Sequence, residues 1–203
     1  MSVKLPKSVI GRLPAYYEYL KKLDAEKNVN VSSASIACAL GLGEVLVRKD
    51  LAMISGGGKP RIGYNTERLT HEIGAILCGK SISNAIIVGA GKLGLALSSY
   101  EGFAEYSINI SAIFDIDRKK VESLHTAVPV LITDKLQSFC KAENVQAAII
   151  AVPADQAQKV CDLLTECGVS IIMNFAPTVV RTTQNVRVKN VNLAAELAAL
   201  TIR

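Results

Sequence analysis

The sequence is poor in the residues that build metal sites and disulfide frameworks. It has only two histidines, His71 and His125, and its five cysteines form no C-x-x-C pair. An odd number of cysteines in mostly apolar surroundings predicts buried thiols of a reducing compartment and argues against a disulfide scaffold. We therefore expect no bound metal.

Long hydrophobic runs and a secretory leader are also missing. No apolar stretch approaches the roughly 18 residues that a membrane-spanning helix needs. The first residues, MSVKLPKSVIGRL, contain neither a signal-peptide core nor a cleavage site. We expect a cytoplasmic protein with no membrane partner. Half of the 203 residues are hydrophobic, which is enough for one large domain or two small ones.

Positive charge is concentrated at one end of the chain. Residues 1–80 contain 12 Lys/Arg and 7 Asp/Glu, whereas residues 81–203 contain 11 of each. Such an asymmetry favours a polyanionic partner for the basic part. Because the net charge is only +5, a basic domain without such a partner is the alternative.

The stretch from residue 84 to residue 115 has the order of elements that a dinucleotide-binding fold requires. An apolar run predicts a buried strand, a helix follows, and a second apolar strand ends at Asp115. Between the first strand and the helix stand three glycines with G-x-G-x-x-G spacing, Gly89, Gly91 and Gly94. These glycines permit a tight turn and the close approach of a pyrophosphate. The acid can accept hydrogen bonds from an adenine ribose, which favours NAD over NADP.

We assign the whole turn to cofactor binding, including Ala90, Lys92 and Leu93, and expect NADH or NAD⁺ as the cofactor. The helix after it is predicted over residues 93–103. A glycine turn without a ligand, inside an ordinary α/β sheet, is the alternative interpretation.

Strands and helices alternate through the rest of the chain. Predicted strands at 128–132, 147–152, 169–173 and 186–191 are interrupted by predicted helices at 117–124, 134–143 and 154–166, with a last helix at 194–202. This alternation predicts a Rossmann-type parallel sheet with right-handed crossovers. Ligands bind at the carboxyl ends of such strands, so the glycine turn, Asp115, Pro153 and residues 174–177 should surround one crevice. The prolines there can equally be strand terminators.

The basic part predicts a small helical domain. A helix is expected over 5–25, although Pro14 suggests a kink or a late start, and another over 66–79. Between them, helices at 34–40 and 44–54 are joined by a short glycine turn, as in a helix-turn-helix whose second helix enters the major groove. In that second helix we expect apolar residues to face inward and cations to reach bases or phosphates: Val45, Leu46, Leu51 and Ile54 inward, Arg48 and Lys49 outward.

A glycine-rich segment, SGGGKPRIGY at 55–64, follows the second helix. It places Lys59 and Arg61 on a loop that suits the wing of a winged helix, where cations contact the DNA backbone or the minor groove. Arg12, near the start of the first helix, is also able to reach a phosphate. A flexible linker and a helical assembly domain are the alternatives.

An enzyme is the less favoured function. About 110 residues follow Gly94, and the sheet uses them, so no separate substrate domain remains. Tyr17 and Lys21 form Y-x-x-x-K, a spacing found in short-chain dehydrogenases, but they precede the nucleotide motif instead of following it. A small NAD(H)-dependent oxidoreductase with a basic assembly domain remains the alternative function, and a module related to CoA-binding domains is a third.

Taken together, these segments resemble the Rex family of redox-sensing transcriptional repressors. The matching stretches occur in the family's order along almost the whole chain: RLPAYYEYL (12–20), VSS (31–33), VRKDL (47–51), GKPRIGY (58–64), VGAGKLGLAL (88–97), FDID (114–117), AVPA (151–154), NFAP (174–177) and NVNLAAEL (190–197).

The resemblance implies a homodimer that binds palindromic operator DNA and releases it when NADH binds. It implies a winged-helix domain over 1–80, an NAD(H)-binding Rossmann domain over 81–190, and a C-terminal helix over 191–203 that is exchanged between subunits. The DNA-contacting residues would be Arg12, Ser32, Arg48, Lys49, Lys59 and Arg61. The residues near the nicotinamide would be Tyr100, Pro153 and Phe175.

This sequence departs from the family at two positions. Many members have an acidic residue where this chain has Asn192, and a basic residue where it has Glu18. An acid that changes partners between two states is a plausible switch, so the DNA-release step here should use other contacts or respond more weakly to NADH.

Overall fold

The computed structural model describes residues 5–23, 27–79, 83–182 and 185–202. The chain divides into two compact units, Met1–Lys80 and Ser81–Arg203. The end of the first predicted helix, at residues 24 and 25, lies outside the described residues. Within these ranges, no helix combines the length and the apolar character that crossing a bilayer would require.

The N-terminal unit is a helical domain with a small hairpin. Its elements are α1 (Lys7–Lys21), β1 (Asn30–Val31), α2 (Ser33–Leu40), α3 (Glu44–Ser55), β2 (Tyr64–Asn65) and α4 (Thr66–Leu77). The two strands pair antiparallel, with Val31 opposite Tyr64. Its core is one cluster of buried side chains contributed by all four helices and both strands: Val9, Leu13, Tyr16, Leu20, Val31, Ile36, Ala37, Val47, Leu51, Tyr64, Leu69 and Ile73.

Pro14 does not delay the start of the first helix, which was one of the two effects that the sequence suggested. The helix begins at Lys7 and runs through Pro14. A proline in a helix removes one backbone donor, here the one that would bond the carbonyl of Ile10. Ile10 is 47 % exposed, so water can reach that turn of the helix. The buried residues Leu13 and Tyr16 on either side of the proline hold the helix against the core.

The inward face of α3 differs in part from the prediction, since Leu51 and Ile54 pack in the core as expected but Val45 and Leu46 do not. Val47, Asp50 and Leu51 are buried, whereas Val45 and Leu46 are 54 % and 40 % exposed. The apolar stripe is therefore displaced around the helix, and it includes a carboxylate. Nothing in the sequence indicated this burial, because a carboxylate is rarely buried unless it is paired.

The C-terminal unit is built on a six-stranded parallel sheet. Its elements are β3 (Ser83–Val88), α5 (Lys92–Ser98), β4 (Ile108–Asp115), α6 (Arg118–Ser123), β5 (Val130–Ile132), α7 (Leu136–Ala142), β6 (Ala147–Ile150), α8 (Ala154–Glu166), β7 (Ile171–Asn174), β8 (Arg187–Asn190) and α9 (Leu193–Ala199). The strand order is β5-β4-β3-β6-β7-β8, and all five pairings are parallel. This is the doubly wound order of the Rossmann fold, so the predicted fold class is confirmed.

Both faces of the central strands are buried. Along β3, Ile86 and Val88 belong to one apolar cluster and Ile87 to another on the opposite face. The same alternation occurs in β4, where Ala112 and Phe114 face one cluster. Burial on both sides explains why these strands are continuous apolar runs rather than alternating ones.

Two element boundaries differ from the predictions. The helix after the glycine turn ends at Ser98, and a 3-10 turn over Glu101–Tyr106 follows. The helix predicted from residue 134 is preceded by a 3-10 turn, Thr133–Lys135. Tyr100 consequently lies in a connection rather than at the end of a helix.

The expectation that the cysteine thiols are buried is confirmed for only some of them. Cys140, Cys161 and Cys167 are buried in the C-terminal unit, but Cys38 is exposed on α2. Burial raises the pKa of Cys140 to about 12 and also raises that of Cys161. These thiols therefore stay protonated at neutral pH and are not activated nucleophiles.

Candidate functional site

A crevice of about 830 Å³ lies at the carboxyl ends of β3, β4 and β6. The strand order reverses between β3 and β6, and such a reversal is where open α/β sheets bind ligands. Six of the predicted cofactor residues line it: Gly89, Gly91, Lys92, Leu93, Asp115 and Pro153. The volume falls within the range of small-molecule sites.

The three glycines of the turn meet different surroundings. Gly89 has φ +111°, and a Cβ there would overlap the carbonyl of Ala151. A Cβ on Gly94 would overlap the carbonyl of Gly89. At Gly91, however, a Cβ would have nothing within 4 Å. Gly89 and Gly94 are thus required by the fold itself, whereas Gly91 keeps space free inside the crevice.

Replacing Gly94 with alanine should lower the free energy of unfolding of the C-terminal unit by about 1 to 3 kcal/mol, the usual cost of overpacking. The added methyl group can be accommodated only by moving α5 away from the turn. Thermal unfolding followed by circular dichroism tests this, with Gly91→Ala as the matched control that should melt like the wild type. Equal melting temperatures for the Gly94→Ala variant and the wild type would contradict the packing argument.

Asp115 is buried at the end of β4 and is held by backbone donors. One carboxylate oxygen accepts from the Ala90 N–H at 2.8 Å, and the other accepts from the Asp117 N–H at 2.9 Å. Lys120 Nζ lies 3.5 Å from the oxygen that Ala90 contacts. Because a carboxylate oxygen has two lone pairs, the oxygen that Asp117 contacts and Lys120 does not approach keeps one acceptor site for a ribose hydroxyl.

Tyr100 and Phe175 do not line the crevice. Tyr100 is 61 % exposed, with its ring edge-on to Phe103 at 5.3 Å between centroids. Phe175 packs against the apolar cluster around Ile87. Their assignment to the nicotinamide stays a prediction.

Asn174 organises the loop that carries Phe175. Its side chain is fully buried, donates to the carbonyl of Thr178 at 2.7 Å and to Asn190 Oδ1 at 2.9 Å, and accepts from the Ala176 N–H at 3.0 Å. The sequence placed this asparagine near the ligand, but it did not indicate that the amide forms hydrogen bonds within its own loop and with Asn190. A polar residue ending an apolar strand was the available signal.

A second groove, of about 440 Å³, lies in the N-terminal unit between α3 and the hairpin loop. Four of the predicted DNA-contacting residues line it: Ser32, Arg48, Lys59 and Arg61. Ser32 is also the N-cap of α2, where its hydroxyl accepts from the Ser35 N–H at 3.0 Å. Lys49 is exposed on α3 but does not line this groove.

The predicted wing is a closed turn. The backbones of Lys59 and Gly63 exchange two hydrogen bonds of 2.8 Å, and Ile62 N–H donates to the Lys59 carbonyl at 3.2 Å. Arg61 has φ +63° and follows Pro60, the arrangement of a type II turn. The turn therefore presents Lys59 and Arg61 from a defined backbone.

Arg12 is engaged within the N-terminal unit. Its guanidinium forms two hydrogen bonds to the buried Asp50, Nε to Oδ2 at 2.6 Å and a terminal nitrogen to Oδ1 at 2.9 Å. The Tyr16 hydroxyl donates to Asp50 Oδ2 at 2.7 Å. This cluster fixes α3 to α1, and sequence reasoning missed Asp50 entirely. A phosphate contact by Arg12 remains a prediction for its other terminal nitrogen.

The cluster shifts the acidity of its members. Burial alone raises the pKa of Asp50, but the hydrogen bonds from Arg12 and Tyr16 and the charge of Arg12 hold it below its ordinary value. Burial and the adjacent carboxylate raise the pKa of Tyr16 to about 12. Asp50 is therefore ionised and Tyr16 is neutral throughout the physiological range.

Comparison with known proteins agrees with the division of the chain into an N-terminal and a C-terminal unit. A family model for the N-terminus of DNA-binding proteins matches residues 4–52, and a model for CoA-binding domains matches residues 80–178. The redox-sensing transcriptional repressor Rex of Desulfitobacterium hafniense is 39 % identical over 98 % of this chain and 95 % of its own. The Rex repressor of Carboxydothermus hydrogenoformans is 40 % identical over 98 % of this chain and 95 % of its own. The chain belongs to the Rex family.

Solved structures of RSP, a Rex-family repressor, agree with this assignment. A crystal structure of RSP in complex with β-NAD⁺ and operator DNA superposes with a TM-score of 0.90 at 30 % identity, covering 97 % of this chain and 91 % of the other. RSP in complex with β-NADH gives 0.86 at 30 % identity, covering 98 % of this chain and 93 % of the other. Membership of a repressor family argues against the oxidoreductase alternative. No cluster of potential metal ligands occurs among the residues that the structure describes.

Proposed function

We propose that this Rex-family protein is a cytoplasmic, homodimeric repressor that binds palindromic operator DNA and releases it when NADH binds. The N-terminal unit, as a winged helix, would contact DNA through Ser32, Arg48, Lys49, Lys59 and Arg61. The C-terminal unit would hold NADH or NAD⁺ at the glycine turn and Asp115.

The convergence of two cation-bearing elements on one groove carries the DNA-binding part of this proposal. Arg48 comes from α3, and Lys59 and Arg61 come from the closed turn, yet all three line the same cavity. Cations set on a helix and a turn side by side suit a groove edge and the phosphates that border it. The crevice at the strand reversal supports the nucleotide part.

NADH can act as a signal only if it binds one conformation of the dimer more tightly than the other. NADH and NAD⁺ differ in the charge and planarity of the nicotinamide, so a mainly apolar pocket can distinguish them. Two recognition helices must match half-sites about 34 to 36 Å apart or multiples of this. A change in their separation is therefore sufficient for release.

Exposed apolar side chains at the C-terminal helix support the proposal of a homodimer. Two large apolar side chains of α9, Leu193 and Leu197, and two that follow it, Leu200 and Ile202, are between 59 % and 81 % exposed, as expected of a segment that packs on a partner subunit. Asn192 caps this helix, accepting from the Ala195 N–H at 3.1 Å. A neutral amide cannot form the salt bridge available to an acid, so the switch should rely on other contacts.

Fluorescence anisotropy of a labelled palindromic promoter fragment, titrated with NADH and separately with NAD⁺, tests the proposal. We expect tight binding that weakens steeply with salt, because phosphate neutralisation releases counterions. NADH should dissociate the complex at concentrations at which NAD⁺ does not. Binding that ignores both nucleotides would refute the sensor, and no binding at low salt would refute the repressor.

Arg48→Ala should weaken operator binding by about 1 to 3 kcal/mol and non-specific binding by less, so that specificity falls. Arg48 is exposed, so the substitution should not disturb the fold. Arg187→Ala, which removes an exposed arginine from β8, is the matched control for loss of one charge. Fluorescence anisotropy with the operator measures the specific affinity, and the same titration with a scrambled duplex measures the non-specific affinity. Equal operator affinities for the two variants would refute the role of Arg48.

A further inference from the structure

Two apolar side chains are exposed at the beginning of α3. Val45 is 54 % and Leu46 is 40 % exposed, although both are large aliphatic residues in the first turn of the helix. The buried stripe of the same helix is supplied by Val47 and Leu51. The fold of the N-terminal unit therefore does not use the Val45 side chain.

Val45 shares its side of the helix with two cations. Residues at i, i+3, i+4 and i+7 lie on one face of a helix, and here these are Val45, Arg48, Lys49 and Ala52, all exposed. The combination of a methyl-bearing side chain with two cations is complementary to DNA, because the major groove offers thymine methyl groups between phosphates. Residues at the beginning of a recognition helix are those that reach base edges.

We propose that Val45 determines operator specificity by packing its methyl groups against the C5-methyl group of a thymine in each half-site. This inference rests on the proposed operator binding. Thymine is the only base that presents a methyl group in the major groove, whereas cytosine presents an amino donor there. Valine has no acceptor for that donor, so cytosine loses the apolar contact and leaves its amino group without a partner.

The expected size of the effect follows from the burial of one methyl group. Removing the thymine methyl should weaken binding roughly four-fold in one half-site. Changing both half-sites of a palindrome should weaken it about fifteen-fold, since contributions from separate sites add as free energies. Both effects are well within the resolution of a direct binding titration.

The test uses the full-length protein and an operator recovered by in vitro selection from random palindromic duplexes. Each thymine pair of the selected operator is replaced symmetrically by deoxyuridine, which keeps every hydrogen-bonding group and lacks only the methyl. We expect the wild type to lose about fifteen-fold in affinity at one position of the half-site. Val45→Ala should bind the thymine operator more weakly and lose most of that discrimination.

Leu46→Ala is the matched control. Leu46 is also exposed and apolar, but it lies about 100° around the helix from Val45, so its variant should keep the full sensitivity to deoxyuridine. Thermal unfolding should be unchanged in both variants, because neither side chain is in the core.

Three results would overturn the inference. One is that no thymine position responds to loss of its methyl. Another is that Val45→Ala keeps the wild-type sensitivity, and a third is that this variant changes self-association in sedimentation rather than methyl discrimination. A selection that recovers no operator would instead refute the proposed function, and the inference with it, so the two failures are distinguishable.

Discussion

Replacing Asp50 with alanine is expected to lower the free energy of unfolding of the N-terminal unit by about 3 to 5 kcal/mol. The carboxylate is 2 % exposed and accepts from both Arg12 and Tyr16. Removing it leaves a guanidinium and a hydroxyl facing a cavity with no acceptor. Because the Arg12 side chain is 24 % exposed and can partly rehydrate, the lower end of that range is expected.

Hydrogen–deuterium exchange of the full chain measures this effect one unit at a time. Amides of α1 and α3 should exchange faster in Asp50→Ala, while those of the parallel sheet should not change. Asp134→Asn is the control, since it breaks the Arg118–Asp134 pair, whose side chains are 76 % and 72 % exposed. Such exposed pairs contribute at most about 1 kcal/mol. Similar exchange in both variants would mean that the buried cluster does not stabilise α3.

The same cluster predicts how stability depends on pH. The folded-state pKa of Asp50 is depressed, so its stabilisation is present above the unfolded pKa of about 3.9 and is lost as pH falls through the folded value. The difference in stability between the wild type and Asp50→Asn should therefore be constant near neutral pH and shrink below about pH 4. Denaturation with urea at a series of pH values measures it.

Local patterns in the sequence were sufficient for the C-terminal unit. Apolar runs between turn residues predicted the strands, and the helix over Ala154–Glu166 has the predicted bounds. The glycine spacing predicted the crevice because the turn and Asp115 are close along the chain, and the alternation of strands and helices placed Pro153 at the same edge of the sheet. Chain-local information thus determines both the fold of this unit and most of its site.

The N-terminal unit contained what local patterns could not predict. Arg12 and Asp50 are 38 residues apart, and nothing in the neighbourhood of either residue indicates the other. Without that pairing, Asp50 resembles a surface acid, and the inward face of α3 is then assigned to Val45 and Leu46. The unrecognised charge pair therefore accounts for the wrong assignment of Val45 and Leu46, whereas Leu51 and Ile54 pack in the core as predicted.

Replacing Gly91 with valine should abolish nucleotide binding without unfolding the protein. Gly91 has φ −81° and an extended ψ, which any residue adopts, and a Cβ there meets nothing within 4 Å. The valine side chain would instead fill the part of the crevice where backbone must approach a pyrophosphate. At 100 times its Kd, NADH should stabilise the wild type by about 2.7 kcal/mol and the variant by nothing measurable.

Thermal unfolding with and without NADH separates this effect from the consequences for DNA. Without nucleotide, Gly91→Val should melt like the wild type, in contrast to Gly94→Ala, whose added methyl overlaps the Gly89 carbonyl. With operator DNA present, Gly91→Val should bind normally and remain bound as NADH is added, because a ligand excluded from both conformations cannot shift their equilibrium. If NADH still dissociated this variant from DNA, the nucleotide would have to bind somewhere other than the crevice at the strand reversal.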